Sequence, residues 1–185
     1  MANELPPVRR IVTAINKEGK SYIVQDGGPN PSAVRQNPAR PGFVVSNLWA
    51  TAGSPAPLNS EDLSPTIKGI MPPKNGTVIK TIDYPPYSKE RAEAERTQGF
   101  ISAGGHSEQG VRRVQGRHPG FHETDTIDYA IVLFGEMVAL VDDGEVTMKA
   151  GDVLIHRGTS HAWENRRTDQ PARILFVLVD GQPKK

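Results

Sequence analysis

What most limits the fold of this chain is the recurrence of short β-type runs separated by turn-forming residues. Runs rich in Val, Ile, Thr and aromatics span 10–15, 21–25, 42–48, 76–82, 126–134, 137–142, 145–149, 153–156 and 173–179. Gly, Pro, Asn or Asp punctuates the gaps between them. Gly and Pro account for 18 and 16 of the 185 residues, together above the ordinary share of about 12%. In the last third the spacing tightens, and Gly135, the stretch Asp142 to Gly144, and Gly151 each mark a tight connection. The run 173–179 is apolar at every position but its first, which predicts a strand covered on both faces. Many short strands closing on themselves predict an all-β fold, a barrel or double-sheet jelly roll.

One stretch has helical character. Ser88 to Thr97 combines good helix formers with a Ser suited to an N-cap. It lacks an apolar stripe, so it is read as a short helical insertion on the surface. Residues 99–120 follow with six glycines and are read as a surface insertion, or as a lid over a barrel mouth. A length of 185 residues fits one structural domain. Within it, 116–182 is the expected core region, and 1–115 supplies extra strands and loop insertions packing on it.

Composition removes several function classes. Twenty-two Lys and Arg balance twenty-one Asp and Glu, so no basic excess points to nucleic acid or a membrane surface. Cysteine is absent, which excludes disulfides, thiolate metal sites, Fe–S clusters and a Cys nucleophile. The N-terminus carries no apolar signal core and no run approaches a membrane span, so the chain is expected to be soluble and cytoplasmic. Gly27-Gly28 and Gly104-Gly105 lack the context of a phosphate-binding loop. The serines near His161 do not form a nucleophile elbow.

All five histidines, His106, His118, His122, His156 and His161, lie in the last 80 residues. His122 and Thr124 are two apart and share one face of a strand. Asp128 opens the next apolar run, and a turn near Asp125 would fold its carboxylate back towards His122. His161 follows the turn 157–160 and opens another extended run. Two imidazoles and one carboxylate converging inside a barrel would suit a divalent first-row metal.

These residues carry a resemblance to the cupin superfamily of small β-barrels. Its first motif runs His-x-His, three or four residues, Glu, six residues, Gly. Here the corresponding positions are His122, Thr124, Asp128 and Gly135. Its second motif runs Gly, then Pro-x-Gly-x-x-His-x-x-x-Asn, which here falls on Gly151, His156, Gly158, His161 and Asn165. Thr124 stands where the family has its second metal histidine, and Asp128 where it has Glu. The resemblance implies a cupin-type double-stranded β-helix and a metal held by His122, Asp128 and His161, with Fe, Mn, Ni or Zn as candidates.

Around that core, His156 is the candidate catalytic group, as a general base or a fourth ligand. Thr124, Trp163 and Arg157 are candidate substrate contacts, and Tyr129 is expected to face away from the interior. The leading expectation is a metal-dependent enzyme acting on a small carbonyl, carboxylate or aromatic metabolite. Oxygenative cleavage, decarboxylation, dehydration and isomerisation all remain open. Two alternatives stand beside it: a metal-free barrel that binds a small molecule without catalysis, and metal-independent acid–base catalysis using His156 and Asp128. A homodimer is expected, with no nucleic-acid or membrane partner.

Overall fold

The computed structural model describes residues 4–36, 38, 40–90, 92–93 and 108–183. The described residues form antiparallel strands in three sheets. β1 (Arg10–Ile15) and β2 (Ser21–Gly27) make a hairpin of their own. A six-stranded sheet contains β3 (Val34–Gln36), β4 (Val44–Thr51), β5 (Thr77–Tyr84), β8 (Thr126–Phe134), β11 (Val153–Arg157) and β13 (Ala172–Asp180), in the order β11-β8-β13-β5-β4-β3. A five-stranded sheet contains β6 (Val111–Arg113), β7 (His122–Thr124), β9 (Glu136–Val141), β10 (Gly144–Lys149) and β12 (His161–Glu164), in the order β10-β9-β12-β7-β6. This is an all-β, double-sheet barrel, the fold class that the strand pattern led us to expect.

The core lies between the two large sheets, as alternation requires. β8 and β13 alternate buried and less buried side chains, so Ala130, Val132, Ile174, Phe176 and Leu178 point inward beside Met137, Ala139, Met148 and Trp163. The outer positions of β13 are only half-covered, less than the expected cover on both faces. Tyr129 is exposed on the outer face, as expected.

β5 lies between β4 and β13 and pairs with β13 along eight positions. Of the expected helix, Ser88 caps a turn in which the Ala92 N–H donates to the Ser88 carbonyl. Residues 89, 90, 92 and 93 are helical, as expected, while 91, 94–97, the first part of the 99–120 insertion (99–107) and His106 lie outside the described residues.

Candidate active site

A cavity of about 740 Å³, its open mouth included, lies between the two large sheets. The five-stranded sheet contributes His122 from β7 and His161 and Trp163 from β12. The six-stranded sheet contributes Asp128, Lys80, Ile82, Phe176 and Leu178, with Arg35 from the edge strand β3. His122 and His161 are register partners on neighbouring strands, which brings their ring centres to 4.5 Å.

Both rings are fixed by backbone. His122 Nδ1 lies 2.8 Å from the Gly120 carbonyl, and His161 Nδ1 lies 2.7 Å from the Thr159 carbonyl. A carbonyl only accepts, so each Nδ1 carries the hydrogen and each Nε2 is left as a base or ligand atom. His161 is buried among other imidazoles, and desolvation, with His122 and His156 nearby, holds its pKa well below the usual histidine value.

His156 sits one layer back. It is 2% exposed and is not among the residues lining the cavity. Its ring stacks on His161 at 3.9 Å and meets the edge of Trp163 at 5.5 Å. Its Nδ1 is 3.0 Å from the Thr159 hydroxyl, while its Nε2 is buried with no protein partner. Burial, with His122 nearby, lowers its pKa to about 4. The candidate general base is therefore a neutral ring that braces His161. Thr159 holds both rings, His156 through its hydroxyl and His161 through its carbonyl.

On the facing sheet, Asp128 is buried and accepts a 2.5 Å hydrogen bond from the Thr126 hydroxyl. Desolvation pushes its pKa up to about 6, against the pull of Thr126 and Lys80. Lys80 is 3% exposed, and its ammonium donates to the Gly69 and Ile70 carbonyls. Burial, with Arg35 adding like-charge repulsion, lowers its pKa to about 7. Two buried ionisable groups on one cavity wall, each pushed towards neutrality, are a mark of a functional site.

The expected metal set, His122, Asp128 and His161, does reach one cavity. The donor chemistry suits a first-row divalent ion, with the imidazoles of His122 and His161, a carboxylate and the buried Nε2 of His156. The geometry does not. Among the described residues no three His, Asp or Glu side chains are arranged to hold a metal ion. His156 and His161 lie face to face at an interplanar angle of 21°, so their lone pairs run side by side instead of meeting, and Asp128 has one oxygen, Oδ1, bonded to the Thr126 hydroxyl.

The remaining expected contacts divide. Trp163 lines the cavity. Thr124 does not; it is buried, and its hydroxyl bonds to that of Thr126, which in turn donates to Asp128. Arg157 is exposed on the face of β11 opposite His156 and lines no part of the cavity. Alternation along β11 sets this, because neighbours on a strand point to opposite faces.

Sequence reasoning missed Lys80, Arg35 and Thr159. Lys80 left a readable signal, since it lies between Val78 and Ile82 at the inward parity of a β-branched run. Arg35 left none, because β3 is only three residues long.

A family model described as a Cupin domain matches residues 111–178. The oryzines biosynthesis cluster protein J of Aspergillus oryzae is 39% identical over 187 aligned positions, covering 97% of this chain and 87% of that protein. The cupin-domain-containing oxidoreductase srdD of Neurospora crassa is 29% identical over 186 positions, covering 95% and 78%. Among solved structures, the Cnp3 cupin domain of Schizosaccharomyces pombe superposes with a TM-score of 0.44 at 12% identity, covering 93% of this chain and 87% of that one.

Proposed function

The chain belongs to the cupin superfamily, and on that premise we propose that it is an enzyme acting on a small organic metabolite by acid–base chemistry in the barrel cavity. The observation that carries this reading is the His122–His161 pair, whose Nδ1 atoms are both tied to backbone carbonyls beside the cavity. Two imidazoles fixed in one tautomer each carry an unprotonated Nε2, the form that acts as a base. Asp128, at about 6, exchanges a proton near neutral pH and serves as the acid. That combination suits proton abstraction next to a carbonyl, with the proton returned to another carbon (isomerisation) or a β-hydroxyl protonated and lost as water (dehydration). It equally suits protonation of the carbanion left when a carboxylate departs as CO2 (decarboxylation). Trp163 and Phe176 supply the apolar wall for the rest of the molecule. His156 and Thr159 act as positioning residues. Two curated relatives are named in ways that support an enzymatic role, one as an oxidoreductase and one as a biosynthesis cluster protein.

The test is untargeted mass spectrometry of a metabolite mixture in deuterated water, incubated with wild type or with His161→Gln. A compound converted only by wild type, with deuterium in the product, is the expected result. A compound that raises the melting temperature yet is recovered unchanged would instead establish a binding barrel. Metal content measured on the same samples decides the remaining point. Stoichiometric iron, manganese, nickel or zinc that is lost in His161→Gln would overturn the metal-independent reading.

A further inference from the structure

We propose that the cavity takes its substrate as a carboxylate, anchored by Arg35 and Lys80 on the wall facing the two histidines. The proposal rests on the enzymatic reading above and names its substrate class. The first support is the unused donor capacity of the two cations. Arg35 reaches the Ile67 and Gly69 carbonyls through its terminal nitrogens at 3.2 and 3.3 Å, while its Nε–H is buried without a partner. Nε is covered as placed, and a turn of the guanidinium towards the cavity it lines would present Nε and the adjacent terminal nitrogen as the side-on fork that pairs with both oxygens of a carboxylate. Lys80 has three N–H donors when charged and uses two of them on Gly69 and Ile70.

The second support is the strand register. Lys80 is paired with Phe176 on one side and Asn47 on the other. Arg35 pairs with Val45, which pairs with Ile82. Asp128 pairs with Leu178, which pairs with Val78. Lys80 therefore stands between the other two, two strands from Arg35 in one direction and two from Asp128 in the other. The cavity wall runs from a cationic end at Arg35 to an acid end at Asp128, with the histidines across from it.

The third support is electrostatic. Arg35 depresses the pKa of Lys80, so the two cations repel across a wall that burial already makes unfavourable for charge. Glu108 and, from the far end of the wall, Asp128 offset part of this; the Glu108 carboxylate is held by the Ile70 and Met71 N–H groups at 2.6 and 3.2 Å and lines no part of the cavity. It also fills the space that a Cβ on Gly69 would need, which fixes it behind the loop. An entering carboxylate would relieve the repulsion and occupy the open donors, leaving the carbon skeleton to extend towards His122 and His161.

Calorimetric titration of acetate and benzoate, each against its neutral amide, tests this on wild type, Arg35→Gln and Lys80→Met. Wild type is expected to bind the acid about tenfold or more tighter than the amide, with the preference lost in each variant. Equal binding of acid and amide by wild type would overturn the carboxylate proposal and leave the cavity reading intact. A preference that survives in both variants would place the anion elsewhere and also overturn it. No binding of any of the four compounds would overturn the proposal and the cavity reading together.

Discussion

Asp128 and Lys80 show how a single residue can cost the fold while serving the site. A carboxyl whose pKa is near 6 when folded, against 3.8 when exposed, binds a proton in the native state that the unfolded chain has already released. Its stabilising contribution is complete below about 3.8 and is lost as pH rises through 6, a difference on the order of 3 kcal/mol. Asp128→Asn is therefore expected to be more stable than wild type above pH 6 and indistinguishable from it near pH 3.5, measured by urea unfolding across that range. A gain that does not grow with pH would contradict the burial argument. Lys80 works with the opposite sign. Its folded pKa of about 7 lies below 10.5, so between those values only the unfolded chain holds the proton. Wild-type stability recovers as pH rises through that window, and the advantage of Lys80→Met shrinks with it. Thr159 is a third case, since it grips both inner histidines. Thr159→Ala removes the hydroxyl at His156 but keeps the carbonyl at His161. It is expected to cost about 1 kcal/mol and to change the His156 ring resonances in NMR spectra far more than those of His161. The motif spacing made His122, Asp128, His161 and Trp163 legible in the sequence, and all four line the cavity. Thr159 was not legible because its role depends on its backbone carbonyl as much as on its side chain.

At the scale of elements, the longer strands were readable because period-two alternation needs several residues to register. β1 and β8 span the residues that the apolar pattern assigned, and β5, β9, β10, β11 and β13 shift by one or two positions. The three-residue strands β3 and β6 carry too few positions for any period, so the pairing partner defines them. That is why Arg35 was invisible as a cavity residue. The turn joining β11 to β12 is where local conformation and site meet. Gly158 has φ of 61°, a left-handed conformation that glycine adopts without penalty. It reverses the chain so that Thr159 faces both histidines. Gly158→Ala is expected to lose about 1–2 kcal/mol from this strain. In the calorimetric titration above, its affinity for acid and amide should fall together, because the histidine wall shifts while Arg35 and Lys80 stay in place. A variant with wild-type stability would show that the turn adopts another conformation at no cost.

At the scale of the whole molecule, two apolar surfaces stand exposed among the described residues. One is the outer face of the six-stranded sheet, where Tyr129 pairs with Ile155 and neighbours Val177, and where Tyr129 and Ile155 are 42% and 48% exposed. The other is the β1–β2 hairpin, a sheet by itself, with Ile15 and Ile23 at 73% and 61% exposure. An isolated two-stranded hairpin is marginally stable in water, and this one is tied to the barrel at its base, where the Arg10 guanidinium reaches the Leu48 carbonyl and Asp62. A second copy of the chain can cover both surfaces through a twofold axis, each hairpin lying on the partner's sheet, because isologous pairing lets two different patches satisfy each other twice. A stable interface takes about 800 Å² from each partner, and these two surfaces together form its apolar centre. Light scattering is therefore expected to return twice the 20.1 kDa chain mass. Tyr129→Lys combined with Ile155→Lys should bring it back to the single-chain value with the circular dichroism of the barrel unchanged, since both side chains point away from the core. Wild type at the single-chain mass would remove the second copy as the covering partner. A dimer that survives both substitutions would place the interface away from this sheet face.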